Sequence, residues 1–186
     1  MAKREYTHAK GFNVTSLKGL SGIYIFQKTC GELSYIGMCN NDFKNRINSH
    51  AYGEQGKLNT DIQYIHVIIV DPNKYPLHVL ESLFIWYFDT PENYTYWLFT
   101  DDNDKFVKKQ AKERNLHIRG SLEKFLLSFD CLLLERERDD NSEFKRYGEI
   151  EQPASKKVHC DGTGHCQCYK CLVNRRKEER SMLISS

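Results

Sequence analysis

The sequence predicts an α/β fold, a small sheet flanked by helices, and three stretches carry that expectation. "GIYIFQK" at 22–28 and "LSYIG" at 33–37 read as strands joined by "TCGE", whose Gly31 suits a hairpin turn. "IQYIHVIIV" at 62–70 is short, β-branched and closed by the turn-forming "DPN". "PLHVLESLFIWYF" at 76–88 is apolar nearly all round, as in a helix buried over most of its surface.

The other elements fall between and beyond these. "DFKNRINSHAYG" has a helix start at Asp42 and a stop at Gly53. "DTPENY" ends the apolar helix at Pro91. Residues up to about 93 therefore read β-β-α-β-α. A polar helix is expected over 100–115, capped by Thr100 or Asp101. A stronger one is expected over 121–138, where Leu122, Phe125, Leu126, Phe129, Leu132 and Leu133 follow the i, i+3, i+4, i+7 stripe. The stripe is most simply a packing face against the first unit, and a homodimer seam is the alternative. The chain divides into an N-terminal arm (1–19), a core (20–99), a helical extension (100–150) and a cysteine-rich basic tail (151–186).

Forty per cent apolar residues, with twelve per cent aromatic, exclude a disordered chain. The start, "MAKREYTHAK", has no apolar segment of the secretory kind, and runs such as 67–70 and 83–88 are far too short to span a bilayer. The expectation is a soluble, cytoplasmic protein with no membrane partner. Net charge is +2, unevenly spread: residues 1–93 balance, 94–152 carry −2 and 153–186 carry +4. A basic tail is either a solvated end or a contact for polyanionic phosphate.

Tyr24 and Tyr35 stand with ten residues between them in "GIYIFQKTCGELSYIG". Eleven residues after Tyr35 comes Arg46, and four further on His50; i, i+4 spacing puts both on one helical face. Glu81 sits in the middle of the apolar helix, where a lone carboxylate is costly unless paired or functional. Asn93 follows twelve residues later, after Pro91. In order and spacing these residues resemble the GIY-YIG endonuclease family: "GIY", "YIG", Arg, often His, Glu, then Asn after a proline-containing turn. The loop "MCNND" before the arginine is slightly longer than in other members. The resemblance covers about residues 20–95.

The resemblance implies a three-stranded antiparallel sheet flanked by helices and a phosphodiester-hydrolysing site. Tyr24 would activate water as general base, and Tyr35 would position the water or the phosphate. His50 would assist Tyr24 or contact phosphate, Arg46 would stabilise developing charge, and Asn93 would brace the site. Glu81 would hold Mg²⁺ or Mn²⁺. A tyrosine in this role is expected to have its pKa lowered from about 10 by nearby positive charge. Lys44 is either a phosphate contact or a surface lysine.

Seven cysteines, at 30, 39, 131, 160, 166, 168 and 171, with four in the last twelve-residue cluster, argue for metal rather than a disulfide framework. Cys160, Cys166, Cys168 and Cys171 are spaced C-x5-C-x-C-x2-C, and Gly162 and Gly164 let the backbone wrap a single Zn²⁺ in a zinc knuckle. A Cys3His set using His165 or His159 is the variant, and incidental or redox-active thiols are the alternative. Arg175, Arg176, Lys177 and Arg180 follow as candidate DNA contacts. The expected function is a metal-dependent DNA endonuclease of restriction, phage or homing type. The alternatives are a structure-specific repair or junction nuclease, or a non-catalytic zinc-containing adapter that binds nucleic acid. Double-strand cleavage would call for a homodimer or sequential nicking.

Overall fold

In 22–28, isoleucines alternate with aromatic residues, so an extended chain sends Ile23 and Ile25 to one side and Tyr24 and Phe26 to the other. Both sides are apolar, which suits a strand covered on both faces. The computed structural model describes residues 8–52, 56–93, 104–114, 116–118, 120–137 and 168–184. Its elements, in chain order, are β1 (His8–Ala9), β2 (Phe12–Asn13), a 3-10 turn (Thr15–Leu17), β3 (Gly22–Lys28), β4 (Leu33–Cys39) and α1 (Phe43–Tyr52). Then come β5 (Ile62–Ile69), α2 (Leu77–Phe88), α3 (Asp104–Glu113), α4 (Leu122–Leu126), β6 (Asp130–Glu135) and α5 (Tyr169–Ile184).

The main sheet is antiparallel throughout, in the order β4-β3-β5-β6. Its two faces carry separate cores. Ile23, Ile25 and Ile68 pack with Leu80, Leu83, Phe84 and Tyr87 of α2, Leu122 and Phe125 of α4, and Tyr169, Leu172 and Val173 of α5. Tyr24, Phe26, Ile65 and Val67 pack instead with Phe43 and Ile47 of α1, with Leu58, and with Phe12, Val14 and Leu17 of the N-terminal arm. Each large apolar side chain removed from water contributes about 1.5–3 kcal/mol. Among the described residues no helix is long and apolar enough to cross a membrane.

Several expectations are corrected. The sheet has four strands rather than three, because the segment expected as one helix over 121–138 splits into α4 and β6. Strand alternation serves its leucines well: Leu132 and Leu134 join the α1-side core, while Cys131 packs on the α2 side. The open edge of β5 supplies the backbone partners, so tertiary pairing overrides the helical stripe. Leu122, Phe125 and Leu126 are buried within the chain's own core, as the packing-face reading of the stripe requires. The polar helix is α3, beginning at Asp104; Thr100 and Asp101 lie outside the described residues, as does Gly53. The end of the tail is the helix α5, which the cysteine spacing did not suggest.

One buried polar pair sits on the α2-side face. His66 is fully buried, its Nε2 lies 2.9 Å from Gln27 Oε1, and its Nδ1 has no hydrogen-bond partner among the described residues. The Gln27 amide is oriented by donating to Gly31 O at 2.9 Å, so its Oε1 accepts the Nε2–H of His66. Burial, with the charge of Arg175 second, lowers the His66 pKa to about 3. In the unfolded chain the imidazole takes up a proton near pH 6.5. Between the two values the unfolded state binds more protons, so stability is full above about pH 6.5 and is lost as pH falls. We expect urea-unfolding free energies to decline below pH 6.5 with a His66 contribution of up to about 1.4 kcal/mol per pH unit. His66→Gln, which can still donate to Gln27, should flatten that slope; an unchanged slope would show that His66 is not held neutral.

Candidate functional site

Tyr24 occupies the middle of the most buried strand and is itself fully buried. Its register partner on β4 is Gly37, and a Cβ there would collide with the Tyr24 hydroxyl. Glycine in "YIG" is therefore the residue that lets the phenol lie across the neighbouring strand. Gly22 of "GIY" has φ +146°, and a Cβ there would meet the Ile68 carbonyl oxygen. Tyr35 lies two residues before Gly37 and so shares its face, opposite Phe26.

Helix α1 crosses this face and follows Asp42, whose carbonyl accepts the Arg46 N–H at 3.1 Å. Its i, i+4 pair meets the tyrosine as the spacing suggests. Tyr24 Oη lies 2.6 Å from His50 Nε2, and Arg46 Nε donates to the same oxygen at 3.1 Å. Ring centroids of Tyr24 and Tyr35 are 6.2 Å apart, and those of Tyr35 and His50 5.3 Å. The structure thus brings Tyr24, Tyr35, Arg46 and His50 into one cluster.

The electrostatics of this cluster correct one expectation. The Tyr24 pKa is raised, not lowered: burial dominates, Tyr35 adds to it, and the opposing effect of Arg46 is smaller. Tyr35 is likewise raised by burial and then by the Glu81 charge. Burial, followed by the charges of Arg46 and Lys57, lowers His50 to about 4. At neutral pH the imidazole is uncharged, its Nε2 in hydrogen-bond contact with the Tyr24 hydroxyl, to which Arg46 Nε donates. His50 Nδ1 is buried without a hydrogen-bond partner among the described residues.

Glu81 and Asn93 arrive from the other side, along the free edge of β4. The Met38 N–H donates to Glu81 Oε1 at 3.0 Å. The Ile36 N–H donates to Asn93 Oδ1 at 2.9 Å, and Asn93 Nδ2 donates to Ile36 O at 2.7 Å. The Glu92 N–H donates to Ser34 O at 3.1 Å, and Ser34 Oγ donates to Glu92 Oε1 at 2.6 Å. Thr90 Oγ1 holds the asparagine by donating to its Oδ1 at 2.6 Å. Burial raises the Glu81 pKa, against the Met38 hydrogen bond and the Arg46 charge. Among the described residues no group of three or more His, Cys, Asp or Glu could hold a metal ion.

The basic residues fall differently from expectation. Lys44 is buried on α1. Arg176 Nε donates to Tyr87 O at 2.9 Å, and its guanidinium lies 3.8 Å from Asp89 and 3.2 Å from Glu179. Arg180 lies over the Trp86 and Tyr87 rings, 4.4 and 5.5 Å from their centroids. These two arginines close the C-terminal end of α2, where carbonyls lack intrahelical partners. Arg175 is half-buried beside a cavity of about 380 Å³, and Lys177 is exposed. Cys168 and Cys171 are buried at the start of α5, whereas Cys160, Cys166, His159 and His165 lie outside the described residues.

Sequence reasoning missed Thr90, Glu92, Ser34 and Lys57. The i, i+3 pairing of Thr90 with Asn93 around Pro91 was a readable signal for a side-chain-closed turn. No local pattern marked Lys57, whose Nζ lies 5.8 Å from the Tyr35 ring centroid. Comparison with protein-family models, with curated proteins and with solved structures returns no match.

Asn93 alone offers Ile36 both a donor and an acceptor. Asn93→Asp removes the donor and should destabilise the fold by about 1–3 kcal/mol in urea unfolding at pH 7. On α5, Arg176→Ala should destabilise measurably, whereas Lys177→Ala should stay within about 0.5 kcal/mol of wild type; equal effects would show that the α2 end does not depend on Arg176.

Proposed function

We propose that the chain is a divalent-metal-dependent DNA endonuclease of the GIY-YIG type. The observation that carries this reading is the Tyr24 hydroxyl, buried under Gly37 and held between His50 Nε2 at 2.6 Å and Arg46 Nε at 3.1 Å. A strand aromatic packed only for bulk has no use for an unprotonated imidazole and a guanidinium on one oxygen.

The raised Tyr24 pKa favours a relay over a standing phenolate. As water attacks phosphorus, its proton passes to Tyr24 Oη while the Tyr24 proton passes to His50 Nε2. The new P–O bond forms, the bond to the leaving oxygen breaks, and that oxygen takes a proton from solvent. Arg46 stabilises charge on the phenol oxygen and on the phosphorane. Tyr35, whose ring is tilted against those of both Tyr24 and His50, positions the water or the phosphate. Glu81 suits Mg²⁺ or Mn²⁺, because such ions keep several waters and take one or two carboxylates plus substrate phosphate. When bound, the ion supplies Lewis acidity to the phosphate oxygens.

Zinc belongs to the same proposal. Cys168 and Cys171, i and i+3 at the head of α5, fit two thiolate ligands, with Cys160 and Cys166 or a neighbouring histidine completing the set. Restriction, phage or homing-type cleavage and repair or junction processing differ in substrate form, and a homodimer would place two sites on a duplex. A second reading, a non-catalytic nucleic-acid-binding protein, is favoured by one observation: Glu81 already serves Met38 N–H in holding β4.

Plasmid nicking separates these readings. Wild type should nick with Mg²⁺ and not with EDTA, and Tyr24→Phe should lower kcat by roughly 10²–10⁴-fold. Glu81→Gln should abolish nicking while melting at or above the wild-type temperature, since it relieves a half-buried charge and keeps an acceptor for Met38. Equal, metal-independent activity in wild type and Glu81→Gln, or none in wild type on plasmid, forked or junction DNA, would overturn the enzyme reading.

A further inference from the structure

The segment between α1 and β5 carries a cation that the relay does not use. Leu58 is fully buried in the core that contains Tyr24 and Phe26. Its N–H donates to His50 O at 3.3 Å, and its carbonyl accepts Lys10 Nζ at 2.9 Å. A residue fixed by its side chain and by both backbone groups also fixes its neighbour. Lys57 is that neighbour: half-buried, with Nζ 5.8 Å from the Tyr35 ring centroid, within the reach of a cation–π contact.

Two cations therefore act on one buried imidazole, Arg46 and Lys57. The Arg46 charge also reaches Glu81. Placing a second positive charge beside His50 disfavours the protonated ring, and the Lys57 ammonium sits on the Tyr35 side of the cluster. A strand laid across the site with its scissile phosphate at Arg46 has further phosphates to either side. The compact ammonium of a lysine on a long stem neutralises such a group without demanding one orientation.

We propose that Lys57 contacts a backbone phosphate of the substrate strand, next to the one attacked. This rests on the nuclease reading of the site. The test measures duplex affinity against salt in the Glu81→Gln background with Ca²⁺, and cleavage by the otherwise wild-type enzyme with Mg²⁺. Lys57→Met keeps most of the stem over Tyr35 and removes the charge. It should reduce the slope of log affinity against log salt by roughly one, raise KM more than it lowers kcat, and leave the melting temperature unchanged. Lys57→Arg should restore the slope.

Cleavage by wild type together with an unchanged slope and KM in Lys57→Met would overturn the Lys57 contact and leave the nuclease reading standing. Absence of cleavage in wild type, with affinity still dependent on Lys57, would overturn the nuclease reading and support a phosphate contact. Failure of the Glu81→Gln protein to bind DNA at any salt would overturn both. A lowered melting temperature in Lys57→Met that Lys57→Arg also shows would assign Lys57 to packing and overturn the contact.

Discussion

Among the described residues strand β4 has a neighbouring strand on one side only, and its outward backbone groups at Ser34, Ile36 and Met38 require partners. The chain covers that edge with side chains and a turn rather than with another strand. Glu81 accepts from Met38, Asn93 brackets Ile36 as a strand residue would, and Glu92 closes on Ser34. This edge dictates where Glu81 and Asn93 sit relative to Tyr35 and Gly37, because all of these residues share one strand or its hydrogen bonds. Loss of the edge contacts would loosen the strand whose glycine makes room for Tyr24.

The other half of the cluster depends on β3 having two apolar faces. An ordinary half-exposed strand would leave a tyrosine hydroxyl in water. Here the Tyr24 ring is enclosed by Phe26, Tyr35, Phe43 and His50, with ring centroids 5.3–6.2 Å away. Desolvation then outweighs the guanidinium of Arg46, so the phenol keeps its proton and the imidazole stays neutral. The same burial that opposes a phenolate makes a concerted hand-over to His50 the cheaper route in the proposed reaction.

Those features differ in how far a sequence can show them. Tyr24, Arg46 and His50 were legible because strand alternation and i, i+4 spacing are local rules, and the structure obeys them. Asn93 was legible as a brace, though only the structure identifies what it braces. Strand β6 was not legible, since Leu132–Leu134 fit a helical stripe and a strand equally well until the open edge of β5 is known. Lys57 was invisible for a related reason: its place over Tyr35 follows from Leu58 filling a core made of distant segments. The contacts of Arg176 and Arg180 with the end of α2 were not legible, because charge counts say nothing about which carbonyls and rings lie within reach.

Those two arginines tie the tail of the chain to the site. Arg176 holds Tyr87 O, and Tyr87 Oη in turn donates to Val173 O of α5 at 3.2 Å, so α2 and α5 are cross-linked in both directions. Immediately beyond, Asp89 leaves the helix in a left-handed conformation, with φ 55° and ψ 57°, and its N–H donates to Ile85 O at 2.8 Å. Three residues separate that exit from Asn93, so the direction in which α2 ends sets where the asparagine meets Ile36. The C-terminal helix therefore bears on the Tyr24 cluster without touching it, through the end of α2, the 89–93 turn and the edge of β4.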